Sequence, residues 1–311
     1  MTARIREATA EDAPGIRRLF ARTFGTELPE EEWLWKFARN PDGWYAVVAE
    51  EDGEIVGNYA GWGMRFLLEG EETLLYSVGD VATDPRARGL GRGVYRAMAE
   101  AFYESIGARG IPFCFGFPNA RALAISHRLV GSRTLFPIRE VFVPLESFPP
   151  PPADATSGEI VSEAFDPLWD AARGGISHGA VRDRARVNWR FHARPTRYYR
   201  MVSVGAGGAM RSWAALSVVG ERALVADYLD ADAGRGLPAL FAAAAAEAAR
   251  WQARHLVFWD TPGGPGRAAI AALPSERREA GFPLIVRTFD AEAARRFSQR
   301  LHLVPALYDL V

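Results

Sequence analysis

The sequence predicts an α/β protein of the α+β type, with two domains in tandem that each contain a sheet flanked by helices. Three observations predict this fold class. Short apolar strand-like segments alternate with helix-like segments in both halves of the chain. The length of 311 residues suits roughly two average domains better than one. Residues 148–154 contain four consecutive prolines, which predict a semi-rigid spacer because proline is excluded from helix and sheet interiors.

The first half predicts a regular order of elements. They are a strand at 5–8, a helix at 12–24, a helix at 29–37, a hairpin, a strand at 74–83, a helix ending near 106, a strand at 111–117, a helix at 120–130 and a strand at 138–145. Pro29 suits the first turn of its helix. Asp52-Gly53 is a strong signal for a two-residue hairpin turn.

Two helices of this half carry signals of their own. Val94, Met98, Phe102 and Ile106 recur at every fourth position, which predicts one apolar face on an amphipathic helix. Asn119 precedes the next helix and is predicted to cap its first turn.

A loop rich in glycine and arginine joins the strand at 74–83 to the helix that follows. Its sequence from Asp84 to Gly93 is DPRARGLGRG. Three alternating glycines remove the side chains that would keep a ligand away from the backbone. The start of a helix favours negative charge, and Arg86, Arg88 and Arg92 add positive charge. The loop is therefore predicted to bind a phosphate or diphosphate group.

Two common phosphate-binding motifs do not fit this loop. A dinucleotide fingerprint reads G-x-G-x-x-G, whereas the loop reads G-x-G-x-G. A nucleotide P-loop ends in Gly-Lys-Ser or Gly-Lys-Thr, and Lys36 is the only lysine in the chain.

The loop resembles the acyl-coenzyme A loop of the GNAT N-acetyltransferase superfamily. That motif is a proline, two variable residues and then Arg-Gly-x-Gly-x-Gly, and Pro85, Arg88, Gly89, Gly91 and Gly93 match it position by position. The order of elements in the first half is also similar to the GNAT fold. The resemblance implies a mixed, mostly antiparallel sheet that splays open beside the coenzyme.

The second half repeats this order with losses. Its predicted elements are a strand at 159–163, helices at 166–172 and 181–192, a hairpin around 205–208, a strand at 223–229, a helix from about 237 and a strand at 255–259. The two halves share a signature with identical internal spacing: Trp-Lys-Phe at 35–37, Pro41 and Trp44-Tyr45, against Trp-Arg-Phe at 189–191, Pro195 and Tyr198-Tyr199. This shared spacing predicts a duplication.

The glycine loop is eroded in the second half, where Gly234-Arg235-Gly236 is all that remains. We therefore expect that the second domain keeps the fold and has lost diphosphate binding. The predicted organisation is a GNAT N-acetyltransferase domain at 1–146, a proline-rich linker at 147–157 and a degenerate GNAT-like domain at 158–311.

The resemblance implies acetyl-CoA, or another acyl-CoA, as co-substrate. In the family, the strand before the loop offers backbone N–H groups to the pantetheine arm and to the thioester carbonyl. The residues implied to bind the coenzyme are Val81, Ala82, Thr83, Arg86, Arg88, Gly89, Leu90, Gly91, Arg92, Gly93 and Asn119.

Asp80 is the candidate general base, because many family members carry an acidic residue at this place in the strand. Burial in an apolar strand is expected to raise its pKa, which suits proton abstraction near neutral pH. The alternative is a structural aspartate bonded to backbone or to an arginine. For the general acid, the family pattern points to Ser126 or His127 in place of its usual tyrosine, and a thiolate can also leave with help from water alone.

Composition bounds the partners and the location. A net charge of −1 gives no electrostatic case for nucleic acid or an anionic membrane. The single cysteine, Cys114, excludes a disulfide, and the histidine spacing indicates no metal site. The first residues lack the apolar stretch of a signal peptide, so we expect a cytoplasmic protein.

The G-x-S-x-G match at 175–179 follows a helix-like segment, which is the wrong context for a hydrolase nucleophile.

The resemblance predicts an enzyme that transfers an acetyl group from acetyl-CoA to a primary amine by direct attack on the thioester. Two alternatives stay open: a non-catalytic acyl-CoA-binding regulatory protein, and a transferase that uses a longer acyl or an aminoacyl donor. The acceptor is a small-molecule or peptide amine, and the chain is expected to be a monomer or a homodimer.

Overall fold

The computed structural model describes residues 3–87, 93–207 and 209–308. The helices are α1 (Ala13–Phe24), α2 (Glu30–Trp33, continued by the π-helical turn Leu34–Ala38), α3 (Val94–Ala108), α4 (Ala120–Val130), α5 (Asp166–Ala172), α6 (Arg184–Val187, continued by the π-helical turn Asn188–His192), α7 (Leu237–Arg250), α8 (Gly266–Ala271) and α9 (Ala291–Arg300). The strands are β1 (Arg4–Glu7), β2 (Trp44–Glu51), β3 (Glu54–Leu68), β4 (Glu71–Thr83), β5 (Phe113–Gly116), β6 (Arg133–Pro144), β7 (Ala155–Gly158), β8 (His178–Ala180), β9 (Arg200–Ala206), β10 (Ala209–Val219), β11 (Arg222–Asp230), β12 (His255–Trp259) and β13 (Glu276–Thr288). Among the described residues, no helix has the length and apolar character that crossing a bilayer requires.

The chain forms two compact units, and neither is one continuous stretch of sequence. The first comprises Met1–Arg65, Leu74–Phe136 and Pro283–Ala294. The second comprises Phe66–Thr73, Pro137–Phe282 and Arg295–Val311. The assignment of separate roles to 1–146 and 158–311, with a linker at 147–157, stays a prediction.

The first unit contains a mixed, mostly antiparallel sheet flanked by helices, which confirms the predicted fold class. Its strands lie in the order β1-β2-β3-β4-β5-β13. The pairs β1–β2 and β2–β3 are antiparallel, whereas β4 and β5 are parallel. The last strand is the end of β13, where Ile285 pairs with Gly116 and Thr288 pairs with Phe113.

The parallel pair β4–β5 is short. It joins Tyr76 to Cys114 and Ser77 to Phe115, after which β5 ends at Gly116 while β4 continues to Thr83. The last part of β4 therefore extends beyond the end of its parallel neighbour, just before the predicted phosphate loop.

The local sequence signals of the first unit are confirmed. Asp52 and Gly53 both have positive φ angles, of 52° and 77°, as the tight turn between β2 and β3 requires. The Asn119 side chain accepts a hydrogen bond from the backbone N–H of Ala122 at 3.0 Å and caps α4. The predicted apolar face of α3 is buried at Val94, Met98, Phe102 and Ile106.

The second unit has a sheet in the order β7-β9-β10-β11-β12-β6. Its strands β11 and β12 are parallel, and the other neighbours with a described register are antiparallel. Beside β12 lies the end of β6, where His255 pairs with Pro144 and Trp259 with Glu140. Among the described registers, each unit thus has a parallel pair followed by an antiparallel strand.

The predicted strand at 159–163 is wrong. The strand lies earlier, at Ala155–Gly158, where it pairs with β9. The apolar pair at 160–161 suggested a strand, but the backbone N–H and C=O of Val161 bond to the side-chain amide of Asn188, both at 3.0 Å. A side chain therefore satisfies the backbone groups that a neighbouring strand would otherwise pair.

Helices α2 and α6 share an unusual geometry. Each consists of four α-helical residues followed by five π-helical residues. The π-helical turns carry Trp35-Lys36-Phe37 in α2 and Trp189-Arg190-Phe191 in α6. Because π-helical turns are rare, the shared sequence signature coincides with a shared backbone conformation.

The core of the second unit contains a buried polar cluster. Arg182 donates from Nε to both carboxylate oxygens of Asp227 at 2.8 Å. The ring of Tyr228 lies 4.8 Å from that of His302, measured between centroids. Burial lowers the pKa of the His302 imidazole well below its usual range, and the positive charge of Arg182 lowers it further. His302 is therefore neutral in the folded protein at neutral pH.

We expect His302→Leu to weaken the loss of stability in acid. The unfolded chain binds a proton at this histidine below about pH 6.5, whereas the folded chain does not. Above that pH, His302 therefore does not change the free energy of unfolding of the wild type. As the pH falls below it, the free energy of unfolding decreases, by roughly 1 kcal/mol at about pH 5.5. Urea unfolding at about pH 7.5 and about pH 5.5 measures the difference. His192→Leu, which replaces an exposed histidine, is the control, and an equal pH dependence in wild type and His302→Leu would contradict the prediction.

Candidate active site

The structure describes both ends of the predicted phosphate loop. Strand β4 ends at Thr83, and a short 3-10 turn spans Pro85–Ala87. Gly93 precedes α3 with a φ of 58°, a left-handed conformation that favours glycine. Five of the predicted coenzyme ligands, Arg88, Gly89, Leu90, Gly91 and Arg92, lie outside the described residues.

Asp84 organises the entrance to the loop. Its buried carboxylate accepts hydrogen bonds from Arg22 Nε at 2.8 Å, from Arg86 Nη2 at 2.9 Å and from the Arg86 backbone N–H at 2.9 Å. The Arg86 guanidinium, together with that of Arg22, holds the pKa of Asp84 well below its usual range. Arg86 also contacts Glu54 at 3.1 Å. The structure thus places Arg86, a predicted coenzyme ligand, in an ion pair with Asp84.

The residues predicted to face the pantetheine arm lie at the end of β4. Ala82 is buried, while Val81 and Thr83 are half-buried. Asp80, just before them, has a φ of 52°, which is unusual for a residue other than glycine. The Asn58 side chain donates a hydrogen bond to the Asp80 backbone carbonyl at 2.7 Å and holds this conformation.

The Asp80 carboxylate is paired with the only lysine of the chain. Lys36 Nζ lies 2.7 Å from Asp80 Oδ2, and the two side chains are 6% and 16% exposed. The expectation for Asp80 rests on burial, and the structure adds an ammonium group beside its carboxylate. The sequence suggested backbone groups or an arginine as structural partners of Asp80. The structure shows Lys36 as its partner.

Aromatic rings surround the same ammonium. Lys36 Nζ lies 5.5 Å from the centroid of Phe37 and 5.8 Å from that of Trp62. The face of an aromatic ring attracts a cation. A carboxylate and two rings together form a suitable environment for a primary ammonium group.

The two candidate acids have different surroundings. Ser126 is half-buried on α4, and its interaction with the Tyr95 hydroxyl lowers the pKa of that phenol. His127 is exposed, with Nε2 3.2 Å from Thr134 Oγ1. Burial raises the pKa of Tyr95. The structure therefore brings a tyrosine hydroxyl to Ser126 from the first turn of α3.

The corresponding turn of the second unit binds a carboxylate of its own chain. Asp230 Oδ2 accepts hydrogen bonds from the backbone N–H groups of Asp232 at 3.1 Å, Gly234 at 2.7 Å and Gly236 at 3.3 Å. A Cβ added at Gly236 would lie only 2.2 Å from Asp230 Oδ1. The remnant Gly-Arg-Gly turn thus folds tightly around an internal anion before α7 begins.

Sequence reasoning missed Lys36, Tyr95 and Asp230. In the sequence, Lys36 argues against a P-loop and belongs to the shared Trp-Lys-Phe signature, but a single lysine between two aromatic residues was also a usable signal for a site residue. The other two depend on contacts that a linear reading does not show. Within the three described segments, no group of three or more His, Cys, Asp or Glu side chains could hold a metal ion.

A family model described as an acetyltransferase (GNAT) domain matches residues 4–129. This segment runs from β1 to the end of α4 and includes Asp80, the predicted loop and Ser126. No curated protein sequence is significantly similar to the chain.

Solved structures share the fold at low sequence identity. A probable N-acyltransferase from Enterococcus faecalis V583 has a TM-score of 0.71 and 13% identity, over 94% of this chain and 74% of that one. A GCN5-related N-acetyltransferase from Anabaena variabilis ATCC 29413 has a TM-score of 0.67 and 15% identity, over 94% and 74%. A GCN5-related N-acetyltransferase from Kribbella flavida has a TM-score of 0.66 and 16% identity, over 94% and 73%. These structures thus share the fold of this chain over 94% of its length.

We expect Asp84→Asn to destabilise the first unit by about 2 kcal/mol, because charge-assisted hydrogen bonds to a buried carboxylate are lost. Urea unfolding measures this change. Glu54→Gln is the control, since it removes only an exposed partner of Arg86 and should cost no more than about 0.5 kcal/mol. Equal effects of the two substitutions would contradict the role given to Asp84.

Proposed function

We propose that the protein is an N-acyltransferase that transfers an acetyl group from acetyl-CoA to a primary amine by direct attack on the thioester. The observation that supports it most is the strand–loop–helix unit from β4 to α3, which carries the glycine and arginine loop inside the segment matched by the GNAT family model. The matched family supports acyl transfer in general. The donor, the acceptor and the residues below are the proposal.

The coenzyme fits the end of β4 and the start of α3. The extension of β4 beyond β5 leaves a strand end beside which an extended pantetheine arm can lie, with Val81, Ala82 and Thr83 as its backbone partners. The diphosphate would bind at Gly89, Leu90, Gly91 and Gly93, with Arg88 and Arg92 supplying charge. The ion pair with Asp84 gives Arg86 a bracing role at the turn. Asn119 caps α4 and acts on the coenzyme only through that helix.

Asp80 is the proposed base. Its carboxylate already binds one ammonium group, that of Lys36, at 2.7 Å. An acceptor amine reaches the site as an ammonium ion and must lose a proton before it can attack the thioester carbonyl. Asp80 can take that proton when the acceptor competes with Lys36 for the carboxylate.

Ser126 is the better supported of the two candidate acids. Its side chain is half-buried and interacts with the Tyr95 phenol, from which a proton given to the leaving thiolate can be replaced. His127 is exposed and bonded to Thr134. It remains the alternative acid.

The second half is proposed to be a duplicated domain that has lost its coenzyme site. Its support is the shared π-helical turn in α2 and α6, together with the shared signature. The Asp230 carboxylate takes the amide hydrogens that a diphosphate would use. The chain should accordingly bind one acyl-CoA.

One observation favours a second candidate function, an acyl-CoA-binding regulatory protein without turnover. The Lys36–Asp80 ion pair balances the charge of the proposed base. If no acceptor displaces Lys36, the coenzyme binds and no acyl transfer to an external amine follows. Cytoplasmic location and a monomeric or homodimeric state stay predictions.

We expect acetyl-CoA and a panel of amines to release free coenzyme A thiol, with polyamines, amino acids and short peptides as acceptors. Asp80→Asn should lower kcat by about 100-fold or more, since a positioned base contributes that much. Glu100→Gln, an exposed change on α3, is the control. Binding of acetyl-CoA without thiol release from any amine would support the regulatory alternative, and an unchanged rate in Asp80→Asn would contradict the assignment of the base.

Calorimetric titration should give one acetyl-CoA bound per chain. The reason is that Asp230 already satisfies the turn before α7, whereas the loop before α3 has the full family motif. A stoichiometry of two, or binding that persists in Arg88→Glu and disappears in Arg235→Glu, would contradict the proposed loss of the second site.

A further inference from the structure

Lys36 is chemically distinct from the arginines of the chain. Lysine and arginine together number 37 residues, of which 36 are arginine. Arginine stays protonated at all accessible pH values, whereas a lysine amine can lose its proton and act as a nucleophile. The single lysine is therefore the only side chain in the sequence that offers a primary amine.

Lys36 lies where the proposed mechanism needs an acceptor amine, beside Asp80. Its Nζ lies 2.7 Å from the carboxylate of Asp80, the proposed base. Asp80 directly precedes Val81, the first of the residues proposed to bind the pantetheine arm. The side chain is also buried, so bulk water does not compete for the amine.

The second unit provides an internal comparison. The position equivalent to Lys36 in the shared signature is Arg190, which donates from Nε to the carbonyl of Ala306 at 3.1 Å and from Nη2 to that of Tyr308 at 2.8 Å. An arginine thus holds backbone carbonyls in the half whose glycine loop is eroded. The lysine stands in the half whose loop is complete, beside a carboxylate.

We infer that Lys36 is an internal acyl acceptor, a modification site of the protein's own chemistry; this rests on the proposed function. Lys36 Nζ passes a proton to Asp80, and its lone pair attacks the thioester carbon of bound acyl-CoA. A C–N bond forms, the C–S bond breaks, and the coenzyme A thiolate leaves and takes up the second proton that the nitrogen loses, while Asp80 releases its proton to solvent. The products are N-acetyl-Lys36 and free coenzyme A.

The modification changes the charge at the site. An acetylated Lys36 is neutral, so Asp80 loses the cation that it pairs with in the unmodified protein. The ammonium group of an external acceptor can then take the place of that charge beside the carboxylate. Self-acylation would therefore prepare the site for amine substrates.

The test is the mass of the intact chain after incubation with acetyl-CoA, followed by peptide mapping. We expect one added acetyl group at Lys36 in the wild type. Lys36→Arg keeps a cation for Asp80 and should stay unmodified, and Asp80→Asn should slow the modification. The double variant Lys36→Arg/Arg96→Lys places an exposed lysine on α3 and measures non-enzymatic acetylation, which should be at least about tenfold slower than that at Lys36 because it lacks positioning.

Three outcomes would overturn the inference. One is an unmodified Lys36 while calorimetry shows that acetyl-CoA is bound, which leaves the proposed function intact. Another is acetylation of Lys36 no faster than that of the lysine at position 96. The third is the absence of acetyl-CoA binding, which would overturn the proposed function as well.

Discussion

Buried backbone N–H groups need acceptors, and we propose that the turns before α7 and α3 use different ones. Before α7, Asp230 accepts hydrogen bonds from three backbone N–H groups of the preceding turn. Before α3, the acidic residue Asp84 is bonded to Arg22 and Arg86 and to one backbone N–H. In our proposal the remaining amides of that loop bind an external anion, the coenzyme diphosphate. Because only this loop binds the coenzyme in the proposal, acyl transfer would take place in the first unit.

The proposed chemistry depends on the ion pair between Lys36 and Asp80. Lys36 and Asp80 are held together inside the first unit, with Asn58 fixing the backbone of Asp80. Opposite charges in a partly buried site stabilise each other, and removal of either one leaves an expensive unpaired charge. In our proposal, an acceptor ammonium that replaces Lys36 brings Asp80 the same positive charge. Acylation of Lys36 would remove the charge of the lysine altogether, which would link self-modification to substrate access.

Local signals made much of the fold predictable. The turn at Asp52-Gly53, the cap at Asn119 and the apolar face of α3 each depend on residues within a few positions of one another. The pairing of β13 with β5 could not be predicted, because it joins residues more than 150 positions apart and leaves no local pattern. The prediction of a strand at 159–163 was wrong for a similar reason. The side chain that bonds to the backbone of Val161 belongs to Asn188, which lies 27 positions away.

The candidate site also combines features that local sequence predicts with features that depend on distant residues. The loop was recognisable because glycine and arginine spacing is a local property. The partner of Asp80 is 44 positions away, on a π-helical turn that no spacing rule indicated. Tyr95 reaches Ser126 only because α3 and α4 pack together. A sequence therefore identifies a backbone anion site more readily than the side-chain pairs that decide its chemistry.

A crystal structure of the protein with coenzyme A tests the central claim most directly. The account predicts diphosphate oxygens within hydrogen-bond distance of the backbone N–H groups of Gly89, Gly91 and Gly93, with the pantetheine arm along Val81–Thr83. Coenzyme A bound at Gly234–Gly236 with Asp230 displaced, or bound away from the start of α3, would contradict it.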